Sequence, residues 1–136
     1  MPKMIFVNLP VRDLVASTRF YEAIGCVKNE QFSNDDAASM VWSDTIHFML
    51  LKHGFYKTFT SLPIADAHAA SAMLIALSRD SRAEVDAITE AAAKAGGKAD
   101  VRPPQDMDFM YSRAFADPDG NVFEPVWMDM SGMPAG

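Results

Sequence analysis

A strand, an Arg-Asp turn, a helix closed by glycine and then three strands occur twice along this chain, with Arg12-Asp13 recurring as Arg79-Asp80 sixty-seven residues later. Two copies mark a duplicated supersecondary unit rather than a solenoid, which needs three or more repeats to be stable. A single β-α-β-β-β unit cannot close a core alone, so the two copies must pack on each other. The pattern therefore predicts an α+β fold: two β-α-β-β-β units paired about a pseudo-twofold, with curved mixed sheets enclosing a cleft. A length of 136 residues fits one such domain. The expected division is unit one at 4–52, a connection at 53–71, unit two at 72–128 and a tail at 129–136.

Local signals place the elements. Met4 to Val11 reads as a strand, Asp13 as the cap of a helix from Leu14 to Ile24, and Gly25 as its stop. Cys26 to Phe32, Ala38 to Trp42 and Ile46 to Leu51 read as strands parted by Asn34-Asp35-Asp36 and Ser43-Asp44. The second cycle starts with the apolar strand Ala72 to Ser78. Ser81-Arg82-Ala83-Glu84 then has capping-box spacing ahead of a helix stopped by Gly96-Gly97. Ala99 to Arg102, Met110 to Ala116 and Val122 to Met128 complete the set. Phe6, Met40, Trp42, Met49 and Leu74, apolar residues on these strands, read as core.

Charge and cysteine usage narrow the function. Twelve Lys+Arg against eighteen Asp+Glu give a formal charge of −6 with no basic run, so no nucleic-acid partner is expected. One cysteine, Cys26, excludes an intrachain disulfide and any Cys-clustered metal site, and it reads as a small buried hydrophobe. No signal segment or long apolar window is present, which points to a cytoplasmic protein with no membrane partner. Ten methionines and nine phenylalanines suggest soft apolar surface lining a core or an adaptable pocket. No nucleophile elbow, phosphate loop, dinucleotide fingerprint or His-Glu-x-x-His helix occurs.

The stretch Asn8-Leu9-Pro10-Val11-Arg12-Asp13-Leu14, running on through Ser17, Phe20, Tyr21 and Gly25, and the distant Asp117-Pro118-Asp119-Gly120-x-x-x-Glu124 together resemble the vicinal oxygen chelate superfamily. That group contains glyoxalase I, the bleomycin and fosfomycin resistance proteins and extradiol dioxygenases. The chain looks most like its small bacterial glyoxalase-like members, described as predicted lactoylglutathione lyases. The resemblance implies a paired β-α-β-β-β fold, often dimeric, and a divalent metal cofactor held by four side chains in the cleft. In this sequence the four positions read Phe6, Met49, Leu74 and Glu124, and only Glu124 supplies a donor that suits Zn²⁺, Ni²⁺ or Mg²⁺. A shifted set of Asn8, His47 and Glu124 is the alternative, since strand residues two apart share a face.

Glu124 lies between Phe123 and Pro125, and a carboxylate turned inward there needs a partner. The resemblance makes it the catalytic base on a carbon acid beside a carbonyl. Arg113, Tyr111, Asn8 and His47 would then be hydrogen-bond donors to the developing oxyanion. Tyr111 and Arg113 share one strand face by period-two alternation, placed by this reading in the cleft, while Met49 would contribute apolar contact to a ligand. His53 and His68, in the connection, read as solvated. Two function classes follow: a glyoxalase-like lyase or isomerase acting on a small carbonyl compound, or a metal-free binding protein that sequesters a small amphipathic molecule. Sheet edges and apolar faces in so small a unit further predict a homodimer whose cleft the partner completes or borders.

Overall fold

A computed structural model of the chain describes residues 2–131; of the expected tail 129–136, positions 132–136 lie outside the described residues. Unit one runs β1 (Ile5–Val11), α1 (Leu14–Ala23), β2 (Val27–Asn29), a 3-10 turn (Glu30–Phe32), β3 (Ala37–Val41) and β4 (Ile46–Lys52). A one-turn helix α2 (His53–Tyr56) opens the connection. There follow β5 (Leu74–Ser78), α3 (Arg82–Lys94), β6 (Lys98–Ala99), β7 (Gln105–Met107), β8 (Met110–Ser112), β9 (Phe115–Ala116) and β10 (Val122–Met128).

The α+β class is borne out, and the duplication is visible in the strand directions. In the first sheet, ordered β1-β4-β3-β2, β1 pairs parallel with β4 while β3 is antiparallel to both its neighbours. In the second, β5 pairs parallel with β10, and β8 and β9 run antiparallel to β10. Parallel neighbours need a long crossover, and in each unit the helix and the middle strands provide it.

The two long helices, α1 and α3, start where their caps dictate. Asp13 Oδ1 accepts the Ala16 N–H at 3.0 Å, and Ser81 Oγ accepts the Glu84 N–H at 3.1 Å. The expected capping box only half forms, because the Glu84 carboxylate is taken by Arg79 at 2.8 Å. Gly25 and Gly96 follow the two helices at φ +115° and +101°, a conformation that a side chain would strain.

One core serves both units. Phe123 of β10 stacks on Phe115 at 5.4 Å between ring centroids and meets Phe48 and Tyr21 of unit one edge-on at 5.6 and 5.9 Å. Leu9, Phe20, Met40, Leu77 and Ala92 close around this cluster. Cys26 is buried beside it, and desolvation pushes its thiol up to about 12, leaving an inert thiol.

Three expectations are corrected. Met110 to Ala116 is not one strand but β8 and β9, and the cause is Pro125 opposite the gap. Its carbonyl accepts the Arg113 N–H at 3.3 Å, but proline has no N–H to return, so the ladder breaks. The strand expected from Cys26 to Phe32 stops at Asn29, whose side chain accepts the Gln31 N–H and starts the 3-10 turn instead. Phe6, Met49 and Leu74 are not core; all three lie on the opposite sheet face, with Phe6 53% and Leu74 59% exposed. Among the described residues no helix is long and apolar enough to cross a membrane.

Candidate cleft site

Alternation along the strands divides the residues between two faces. Leu9, Phe48, Leu77 and Phe123 point into the shared core. Phe6 and Asn8 of β1, His47 and Met49 of β4, Leu74 of β5 and Glu124 of β10 therefore occupy the other face. Register makes the arrangement symmetric. Phe6 sits opposite His47 with Met49 two residues further along, and Leu74 sits opposite Val122 with Glu124 two further along. Each parallel strand pair thus carries two of the four family metal positions at the same diagonal offset.

The chemistry at those positions does not fit a hard divalent cation. A phenyl ring, a thioether and an isobutyl group offer no oxygen or imidazole, which leaves Glu124 as the sole donor. The shifted set fares little better. Asn8 and His47 share a face on adjacent strands, but Glu124 lies in the other sheet and is already engaged. Among the described residues no group of three His, Cys, Asp or Glu side chains is placed to hold a metal ion.

Glu124 is engaged by a residue that the sequence reading did not pick out. Arg102, just after β6, sets Nε and Nη2 each 3.0 Å from Glu124 Oε2, and its Nη2 also donates to Ser112 Oγ at 3.1 Å. Its remaining nitrogen, Nη1, donates to the Pro103 carbonyl at 3.0 Å. The pair is about three-quarters covered, so the guanidinium offsets the desolvation cost of the carboxylate. Its one sequence signal is the demand that an inward Glu124 makes for a cation. On unit one, Phe6 stacks on the His47 ring at 4.8 Å, and both ring nitrogens of His47 are out of solvent without a partner among the described residues. Unmade hydrogen bonds of this kind cost about 1–3 kcal/mol each, unless something else binds there.

Tyr111 and Arg113 share a face as expected, but it is the face against α3 and not the cleft. The Tyr111 hydroxyl donates to Asp86 at 2.6 Å. Arg113 forms a two-bond fork with Asp100 at 2.8 and 3.0 Å and reaches Asp86 and Glu90 at 3.0 Å. Asp100 holds this pose at φ +53°, a left-handed backbone that Asp tolerates. The hydrogen bonds with Asp100 hold the Arg113 guanidinium charged and in turn hold the Asp100 carboxyl below its usual range. Because the Asp100 value is lowered on folding, its contribution is present above the ordinary carboxylate range and is lost as pH falls through the lowered value. Arg113→Met is expected to cost about 2 kcal/mol, since it leaves three half-exposed carboxylates crowded together. Denaturant melts should show a loss of that size with a weaker acid dependence, and cleft binding should be unchanged.

Comparison with known proteins agrees with this geometry. The family model described as Glyoxalase/Bleomycin resistance protein/Dioxygenase superfamily matches residues 3–124. No curated protein matches the chain. Among solved structures, a glyoxalase/bleomycin resistance protein/dioxygenase family enzyme from Burkholderia phytofirmans is 20% identical, with TM-score 0.78 over 93% of this chain and 99% of that one. A fosfomycin resistance protein from Mesorhizobium loti is 21% identical, with TM-score 0.68 over 93% and 92%. A bleomycin resistance determinant encoded on the transposon Tn5 is 20% identical, with TM-score 0.63 over 94% and 99%. With the family model spanning most of its length and the duplicated fold in place, the chain belongs to the glyoxalase/bleomycin resistance protein/dioxygenase superfamily.

Proposed function

We propose that this chain is a metal-independent member of its superfamily that binds and sequesters a small amphipathic molecule on the cleft face. The observation that carries the reading is the Arg102–Glu124 pair, because the only suitable donor at the four family positions already holds a guanidinium. A cation on the free Glu124 Oε1 would sit beside the Arg102 guanidinium, a like charge, and would find Phe6, Met49 and Leu74 at the other family positions. An amphipathic ligand finds a better match. Phe6, Met49 and Leu74 supply apolar contact, while Asn8 and the second oxygen of Glu124 supply polar partners. The fold shared with resistance proteins supports sequestration by analogy alone.

Metal analysis of protein purified without an affinity tag tests this reading. We expect less than about half an equivalent of Zn, Ni, Mn or Fe. Stoichiometric metal that survives dialysis would overturn it and make Asn8, His47 and Glu124 the ligands to examine.

The second reading, a lyase or isomerase of the lactoylglutathione lyase type acting on a small carbonyl compound, is favoured by Glu124 standing at the family's base position. It requires the free Oε1 of Glu124 to act as the base while Arg102 holds Oε2. A cytoplasmic location suits either reading, since the lone buried thiol calls for no oxidising compartment.

The exposed apolar residues of β1 and β5, Ile5, Phe6 and Leu74, each more than half exposed, support a homodimer in which a second copy borders the cleft. Light scattering across a concentration series is expected to give a dimer. A mass fixed at the 14.9 kDa of one chain would exclude it.

A further inference from the structure

The segment joining the two units borders a partly open cavity of about 290 Å³ whose lining includes neither Glu124 nor Arg102. Asn8, Pro10 and Val122 form one wall, and the connection supplies the other through Tyr56, Ile64 and Met73. In a chain with 22% charged residues, no Asp, Glu, Lys, Arg or His among the described residues lines this space. A charged molecule would therefore be desolvated there without a counter-charge, whereas an uncharged one would not.

The cavity persists because the connection is pinned away from the strands and carries small side chains above them. Arg12 reaches Asp66 at 3.5 Å, and His68 Nε2 lies 3.2 Å from the Pro118 carbonyl. Gly120 lets the two backbones meet, since a Cβ there would stand 2.6 Å from the His68 nitrogen. At the other end α2 packs on β1 and β4. Around these anchors, alanines 65, 67, 70 and 72 leave the volume unfilled, and empty apolar volume forfeits dispersion contacts that a ligand would restore.

We propose that this cavity is a second binding site, for an uncharged, largely apolar molecule of one or two rings bearing a single hydrogen-bonding group. The size follows from comparison with a cavity of about 150 Å³, which holds one benzene. The connection's Tyr56, Thr60 and Ser71, which line the space, carry the hydroxyls that would orient it.

Two fluorescent probes with the same two-ring body test the assignment: uncharged 2-naphthol and its 6-sulfonate. The uncharged probe should bind saturably at one per chain, and the sulfonate about tenfold more weakly or worse, because no cation lines the space. Val122→Phe and Ala72→Trp each grow a lining side chain into the cavity and should weaken the uncharged probe about tenfold or more while the variants still melt cooperatively. Absence of saturable binding, equal affinity for the sulfonate, or full affinity in both folded filling variants would overturn the proposal.

Discussion

Asp117→Ala should lower stability by about 3 kcal/mol or more, a fall of roughly 10 °C in Tm for a chain of this size. Asp117 is 2% exposed and accepts four hydrogen bonds. Its Oδ2 takes the Tyr21 hydroxyl at 2.6 Å and Asn121 Nδ2 at 2.9 Å, while Oδ1 takes the backbone N–H groups of Asp119 at 3.0 Å and Asn121 at 2.8 Å. Truncation strands a fully buried phenol and loosens the turn before β10 in one step. Tyr21→Phe removes a single donor and should cost about 1–2 kcal/mol. Since Tyr21 belongs to α1 and Asp117 to unit two, this bond fastens the two units as much as it shapes a turn. Thermal melts that give the two variants equal losses would exclude that hub role.

The same residue sets a pH dependence with a definite sign. Burial pushes the Asp117 carboxyl above its ordinary value of 3.8, against the pull of the Tyr21 and Asn121 hydrogen bonds. The folded chain thus keeps a proton that the unfolded chain has already released. Stability falls as pH rises from about 3.8 through the raised value, and Asp117→Asn should flatten that slope.

The duplication was legible because it rests on turn chemistry: Asp13 and Ser81 cap, Gly25 and Gly96 stop, and β10 runs from Val122 to Met128 as its apolar run suggests. Faces were harder to read. Period two tells that Tyr111 and Arg113 point the same way, yet exchanging the two faces leaves the pattern intact, and the small Ser112 between them gives no apolar signal to break the tie. Phe6 and Leu74 read as core because a sequence shows apolarity and not what covers it. Arg102 escaped notice for another reason. The irregular stretch from Asp100 to Pro104 brings it back across 22 positions to Glu124, and no periodicity spans such a bend.

Glu124→Gln separates a binding carboxylate from a structural one. The variant keeps shape and leaves Arg102 its bonds to Ser112 and the Pro103 carbonyl, so Tm should move by only a few degrees, about 1 kcal/mol. Ligand affinity should suffer more. Losing a charged acceptor typically costs about 1.5–3 kcal/mol, or roughly 10- to 150-fold in Kd for an amphipathic molecule selected by thermal-shift screening. Any isomerase-type turnover should vanish with it, because Gln cannot take a proton from carbon. Arg102→Ala should show the opposite balance, with the larger loss in stability, since it leaves a mostly covered carboxylate without its cation. Calorimetric titration of both variants decides the matter. Wild-type affinity and turnover in Glu124→Gln would make the pair a purely structural tie and remove Glu124 from the site.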